Sequence, residues 1–175
     1  MIARFVDGND LRAAEVRRAA PSLAFEIGGL PSGFSTSAPD PEQKARGMVL
    51  AVDDAFPCFA EACDLLTMDG KSLRLELDSE NDNRFCRWFR ETPVRLVLCV
   101  ALRRSVDAPV EVFIGECVGR VAEKPSGPRI LGWDRLFTPD GFDATFADIV
   151  ADPAAEGDSI GLRTPIYAQL VAALG

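Results

Sequence analysis

The nine residues from Val94 to Leu102 are all apolar except Arg95. An apolar run this short and this rich in branched side chains reads as a buried strand. After a turn at Ser105 to Pro109, Val110, Val112 and Ile114 alternate with Glu111, Phe113 and Gly115, which is the two-residue period of a strand. Two strands joined by so short a connection predict a long antiparallel hairpin.

Shorter elements surround that hairpin. Ile2 to Val6 reads as a first strand ending at Asp7-Gly8-Asn9, and a helix follows from Asp10 to Ala20 with Leu11, Ala14 and the region of Arg18 on one face. Leu23 to Ile27 is a second strand. Gly28 to Pro41, rich in Gly, Pro and Ser, is a long loop that reads equally as a mobile rim or a plain surface connection. Glu42 to Gly47 predicts a short helix leading into an apolar strand, Met48 to Val52. Met68 to Lys71 is a turn, and Leu73, Leu75 and Leu77 alternate with charged residues in strand fashion. Asn81 to Arg90 is helical and gathers Phe85, Trp88 and Phe89 as a packing cluster rather than a base-stacking surface. Near the end, Thr164 suits a helix cap, Pro165 the first turn, and Ile166, Leu170 and Leu174 an apolar stripe. The expectation is one α/β domain over residues 1–175, an elongated mixed sheet flanked by helices, with no internal repeat.

A chain of 175 residues with 47% hydrophobic content can bury a sizeable core. Its formal charge of -8 disfavours a long nucleic-acid backbone, although a few Arg and Lys side chains with Mg²⁺ suffice for a small phosphorylated ligand. No apolar run reaches the roughly 18 residues of a membrane span. The five cysteines are odd in number and lack metal-site spacing, so they read as reduced core residues of a cytoplasmic protein. Histidine is absent, which excludes a Ser-His-Asp triad, histidine-ligated zinc and an imidazole base.

Several residues are candidates for chemistry. Gly8 and Asn9 lie where a strand hands over to a helix, a place whose free N–H groups favour an anion, and Arg12 and Lys44 could add charge-assisted contacts. Simple helix capping explains the same pattern. Asp53 and Asp54, after the predicted Met48 to Val52 strand, could hold Mg²⁺ or orient water at the sheet's carboxyl edge; a solvated turn is the alternative. In the run Gly132 to Asp148, Trp133 could lie beside a planar ring and Asp134 could accept a hydrogen bond, or both could be structural.

That run resembles the Ham1 family of nucleoside triphosphate pyrophosphatases. Gly132-Trp133-Asp134, Phe137, Pro139-Asp140-Gly141 and Thr145-Phe146-Ala147-Asp148 follow the family's Gly-Trp-Asp-Pro, Phe, Pro-Asp-Gly and Thr-aromatic-Ala-Glu in order and spacing. Gly8-Asn9 with Arg12 and Glu15 resembles the opening Thr-Gly-Asn, Lys and Glu pattern, Lys44 stands at a family lysine, and Asp53-Asp54 resembles its acidic pair. Gly115, Gly119 and Val121 resemble the hairpin before the Gly-Trp-Asp block. The resemblance implies two lobes around a nucleotide-type cleft, a homodimer, and Mg²⁺-dependent hydrolysis of ITP, dITP and XTP to the monophosphate and pyrophosphate. Gly8, Asn9, Arg12, Trp133, Asp134 and Arg163 would then bind the nucleoside triphosphate. Asp53, Asp54 and Lys44 would be catalytic, with Asp53, Asp54 and Glu42 around the metal.

The departures fall on the implied site. Asp7 replaces a threonine, Arg12 replaces a lysine with a planar fork, and residues 30–41 lack the family's metal-binding glutamate, leaving Glu42 as the nearest. The proline-glycine segment that follows the family's acidic pair has no clear counterpart here. Residues 157–163 keep Arg163 where the family has Lys-Asn and then Ser-His-Arg. These losses imply weakened purine selectivity, and an alternative role as a catalytically impaired relative that binds a nucleotide or a protein partner.

Overall fold

The computed structural model describes residues 2–34, 40–53, 56–73, 82–152 and 161–175. The elements run β1 (Ala3–Val6), α1 (Asp10–Ala19), β2 (Phe25–Gly28), α2 (Pro41–Leu50), β3 (Cys58–Thr67), α3 (Asp82–Phe89), β4 (Pro93–Arg103) and β5 (Glu111–Val121). A 3₁₀ segment (Arg129–Leu136), β6 (Phe137–Pro139), α4 (Phe146–Ala151) and α5 (Arg163–Leu174) complete the order. One mixed sheet has the strand order β2-β1-β3-β4-β5-β6. β1 is parallel to β2 and to β3, and β6 is antiparallel to β5. β4 and β5 are neighbours joined by residues 104–110, too few for a parallel crossover, so they are the expected hairpin.

The chain divides into two compact units, one of Met1–Ala62, Leu98–Gly115 and Gly161–Gly175, the other of Cys63–Val97 and Glu116–Ile160. In the first, alternation along the strands sends side chains to two faces. Phe5 stacks on Phe59 with ring centroids 4.8 Å apart, Phe25 meets both edge-on, and Tyr167 of α5 meets Phe59 edge-on at 6.1 Å. Their neighbours in sequence, Val6, Cys58 and Ala60, with Cys99 and Ala101, join Ala45, Met48, Val49 and Val52 in the opposite core. Thus α1 and α5 cover one face of this unit's sheet and α2 the other.

The second unit buries Leu65, Phe85, Cys86, Val94, Leu96, Val121, Leu136, Phe137 and Phe146. Arg135 donates to Gly127 O at 2.9 Å and pairs with Asp82 of α3. Thr145 caps α4 by accepting the Asp148 N–H at 3.2 Å, while its hydroxyl donates to the Asp148 carboxylate at 2.9 Å. Much of the Gly132 to Asp148 run is therefore committed to holding this unit together.

Four sequence expectations change. Met48 to Val52 is not a strand: α2 runs through to Leu50, started by Asp40, whose side chain accepts the Gln43 N–H at 2.8 Å, and by Pro41 in its first turn. Ala45, Met48 and Val49 are buried at helical spacing, a pattern that a short apolar run does not distinguish from a strand. The buried face of α1 is Arg12, Ala13, Glu15 and Val16 rather than Leu11, Ala14 and Arg18, because the two charged members find partners. Trp88 is 62% exposed, with the Arg84 guanidinium over its ring at 5.5 Å, while Phe85 and Phe89 pack together. Finally, α5 begins at Arg163, so Thr164 lies inside its first turn rather than at the cap.

The Met68 to Lys71 turn is present, with Gly70 N donating to Thr67 O. The alternation from Leu73 onward lies outside the described residues after Leu73 itself. Cys58, Cys86 and Cys99 are buried, Cys63 and Cys117 half-buried, and none of the five is in a disulfide. Burial pushes the Cys99 thiol up to about 12 and those of Cys58 and Cys86 to about 11, leaving these three inert as nucleophiles. Among the described residues, no helix is long and apolar enough to cross a membrane.

Candidate functional site

From β1 the chain passes through α1 to β2 on one side, then through α2 to β3 on the other. The carboxyl end of β1 is therefore a topological switch point, where α/β sheets place ligands. Asp7 makes the exit with φ 57, a left-handed conformation that Asp tolerates better than the β-branched threonine of the family pattern. Gly8 has no room for a side chain: a Cβ there would meet the Phe5 ring at 2.6 Å. Asn9 caps α1, its Oδ1 accepting the Arg12 N–H at 3.0 Å.

The register Val6↔Ala60 sets Glu61 just beyond the end of β1. Glu61 shares the strand parity of Phe59, so it points to the α1 and α5 face. There its carboxylate meets three groups. Arg163 donates to both oxygens, at 2.8 and 3.2 Å. Arg12 Nε lies 3.2 Å from Oε1, and the Tyr167 hydroxyl donates to Oε2 at 3.0 Å. Glu15 closes the set, its Oε2 accepting from Arg12 at 2.7 Å and lying 3.0 Å from Arg163 Nη1. The side chains of Glu15 and Glu61 are 4% exposed and that of Arg163 is 3%.

Two guanidiniums and two carboxylates make this cluster neutral. Burial alone would push the Glu61 carboxyl up, but the charges of Arg163 and Arg12, with hydrogen bonds from Arg163 and Tyr167, outweigh it and hold the carboxyl below its ordinary value. Burial and the Glu61 charge push the Tyr167 phenol well above its usual range. The cluster thus keeps Glu61 ionised and Tyr167 protonated.

Sequence reasoning placed Arg12 and Arg163 near opposite ends of the chain and both on the nucleoside triphosphate; the structure brings them together, on carboxylates. It missed Glu61 and Tyr167. The available signal was a single carboxylate inside the otherwise small and apolar stretch Cys58-Phe59-Ala60-Glu61-Ala62, since a buried charge needs a partner.

Lys44 is half-buried on α2, the helix on the opposite face of the sheet from α1 and α5. Glu42, on the same helix, pairs with Arg46 at 2.7 Å. Asp53 is exposed just past the end of α2, following a helix rather than the predicted strand. Asp54 and residues 153–160 lie outside the described residues. In the second unit, Trp133 is buried against Phe85 with centroids 5.7 Å apart, and Asp134 is fully buried. Gly132, which precedes them, adopts φ 55 and ψ -118 and breaks the 3₁₀ segment.

Among the described residues no three His, Cys, Asp or Glu side chains converge as a metal cage. Mg²⁺ does not require one, because it is usually held by one or two carboxylates together with substrate phosphates. Exposed Asp53 fits that role, whereas Glu42 is engaged by Arg46 and Glu15 and Glu61 by two arginines.

The architecture is that of solved Ham1 proteins. Superposition on the HAM1 protein of Coxiella burnetii gives a TM-score of 0.67 over 99% of this chain and 98% of that one, at 16% identity, a likeness of fold alone. In sequence, residues 75–163 match the model of the Ham1 family. The dITP/XTP pyrophosphatase of Opitutus terrae is 39% identical over 119 residues, covering 68% of this chain and 52% of the relative. The chain thus spans about half the length of that relative. The dITP/XTP pyrophosphatase of Rhodospirillum centenum is 28% identical over 191 aligned positions, covering 90% of this chain and 88% of its own. The chain belongs to the Ham1 family.

Proposed function

We propose that the chain is a nucleoside triphosphate pyrophosphatase that hydrolyses ITP, dITP or XTP to the monophosphate and pyrophosphate with Mg²⁺. The observation that carries this reading is the convergence of Arg12 and Arg163 beside the β1 carboxyl end, where Asn9 opens α1. Family membership and the dITP/XTP pyrophosphatase activity of both relatives support the same reading.

In this reading water attacks the phosphorus next to the sugar-linked oxygen, the bond to the bridging oxygen of the pyrophosphate breaks, and the proton passes to solvent, since the chain has no imidazole. Gly8 and Asn9 leave backbone N–H groups facing the phosphates. Arg12 and Arg163 on one face of the sheet and Lys44 on the other steady the triphosphate. Asp53, with Asp54, would hold Mg²⁺, which would offset charge on the phosphoryl oxygens. Trp133 and Asp134 remain in the proposal as base-side positions by resemblance. The family resemblance also proposes a homodimer in the cytoplasm; sedimentation at micromolar concentration showing only an 18.9 kDa species would remove the dimer.

A second reading, a catalytically impaired relative that binds a nucleotide or a partner, is favoured by one observation. Both arginines are already neutralised by Glu15 and Glu61. Pyrophosphate release from ITP, XTP, dUTP and ATP with Mg²⁺ separates the two. Release from ITP and XTP, with a preference over ATP below about a hundredfold, or roughly 2.7 kcal/mol, is expected from the first. No release from any of the four selects the second.

A further inference from the structure

Arg103, the last residue of β4, is 8% exposed. Its Nη1 donates to Val52 O at 2.9 Å and lies 3.5 Å from Val49 O. Its Nη2 donates to Val106 O, and its Cζ stands 5.2 Å from the Phe56 ring centroid. Among the described residues its partners are backbone oxygens and an aromatic face rather than a carboxylate.

Val49 and Val52 bracket the C-terminus of α2, where helix carbonyls lose their intrahelical donors and the helix dipole is negative. A buried cation at that point satisfies the carbonyls and is itself stabilised by them. A planar fork is needed to reach the α2 end and Val106 together; an ammonium is a single compact charge and cannot span both.

We propose that Arg103 is a positioning residue for Asp53. By holding the carbonyl of Val52 and stacking on Phe56, it sets where the chain leaves α2 and how the Asp53 carboxylate meets a metal-bearing triphosphate. The role assigned to Asp53 rests on the pyrophosphatase reading above.

The test compares the full-length protein with Arg103→Met, Arg103→Lys and Asp53→Asn. Amide hydrogen exchange is followed together with the Mg²⁺ concentration that gives half-maximal pyrophosphate release from ITP. In Arg103→Met, exchange at Val52 and Phe56 should accelerate by about tenfold or more while amides of β1 stay protected, as a local opening requires. The Mg²⁺ requirement should rise several-fold, with the KM for ITP at saturating Mg²⁺ little changed, and Arg103→Lys should restore only part of each effect. If the Met variant does not fold, the Lys variant carries the same readouts. Unchanged exchange at Val52 and Phe56, an equal rise at every amide, or an unchanged Mg²⁺ requirement overturns the proposal. Failure of the unsubstituted protein to release pyrophosphate, or full activity in Asp53→Asn, overturns the reading of Asp53 instead. The exchange pattern still decides whether Arg103 holds the segment.

Discussion

Arg12 and Arg163 meet on a single oxygen, Glu15 Oε2, at 2.7 and 3.0 Å. They meet again on Glu61 Oε1, at 3.2 and 2.8 Å. Two buried guanidiniums are held this close only because each carboxylate faces both. Any ligand phosphate that uses these arginines must compete with carboxylates already in place.

Replacing Glu61 by Gln removes one negative charge from a neutral buried cluster. Breaking a buried pair in this way costs about 3–5 kcal/mol, so the urea midpoint at pH 7 should fall steeply. In the variant that remains folded, the uncompensated arginine charge should raise affinity for inorganic pyrophosphate, measured by calorimetry. An unchanged midpoint would show that the cluster contributes nothing to stability.

The same residue sets an acid limit. A carboxyl held below its unfolded value of about 4.3 stabilises the fold above that pH, and the contribution is lost as pH falls through the folded value. Tyr167 acts at the other end: its raised phenol stabilises below the unfolded value of about 10 and is lost as pH rises past it. Urea midpoints from pH 3 to 7 and from 9 to 11 should show both limbs. The acid limb should be shallower in Glu61→Gln, and the alkaline limb shallower in Tyr167→Phe, its remainder coming from the buried Cys58, Cys86 and Cys99 thiols, which are also pushed up.

Gly8→Ala would press a Cβ against the Phe5 ring at 2.6 Å, and that ring cannot retreat because it lies flat on Phe59. Overpacking of this kind costs about 1–3 kcal/mol. A melting temperature equal to that of the unsubstituted protein would mean the junction relaxes freely.

Lys44→Ala and Asp53→Asn should separate function from stability. Neither side chain has an ion-pair partner among the described residues, so each should change stability by less than about 0.5 kcal/mol. Loss of a charged contact to phosphate should still weaken nucleotide binding about tenfold in Lys44→Ala. Titration with ITP and Mg²⁺ checks this, and equal affinity would remove Lys44 from the site.

The two tryptophans should answer oppositely. Trp133→Ala opens a cavity beside Phe85 and should cost about 3–5 kcal/mol, whereas Trp88, 62% exposed, should tolerate Ser with little loss. Chemical denaturation of both variants reads the difference.

The sequence alone determined what depends on near neighbours. A continuous apolar run marked β4 and alternation marked β5, the Asp7-Gly8-Asn9 junction marked the passage from β1 to α1, and the Gly132 to Asp148 spacing marked the family. Local signals fail where two structures share one pattern. Met48 to Val52 is equally apolar as strand or helix, and only its packing on Cys58, Ala60 and Cys99 settled it as the end of a helix. They fail completely for Glu61. Nothing near it in sequence is cationic, and its partners Arg12, Arg163 and Tyr167 come from helices at the two ends of the chain. A charge can be buried in a strand only when the fold delivers its counter-charges. The tertiary structure therefore decided whether the two arginines stand free for phosphate or are held by carboxylates.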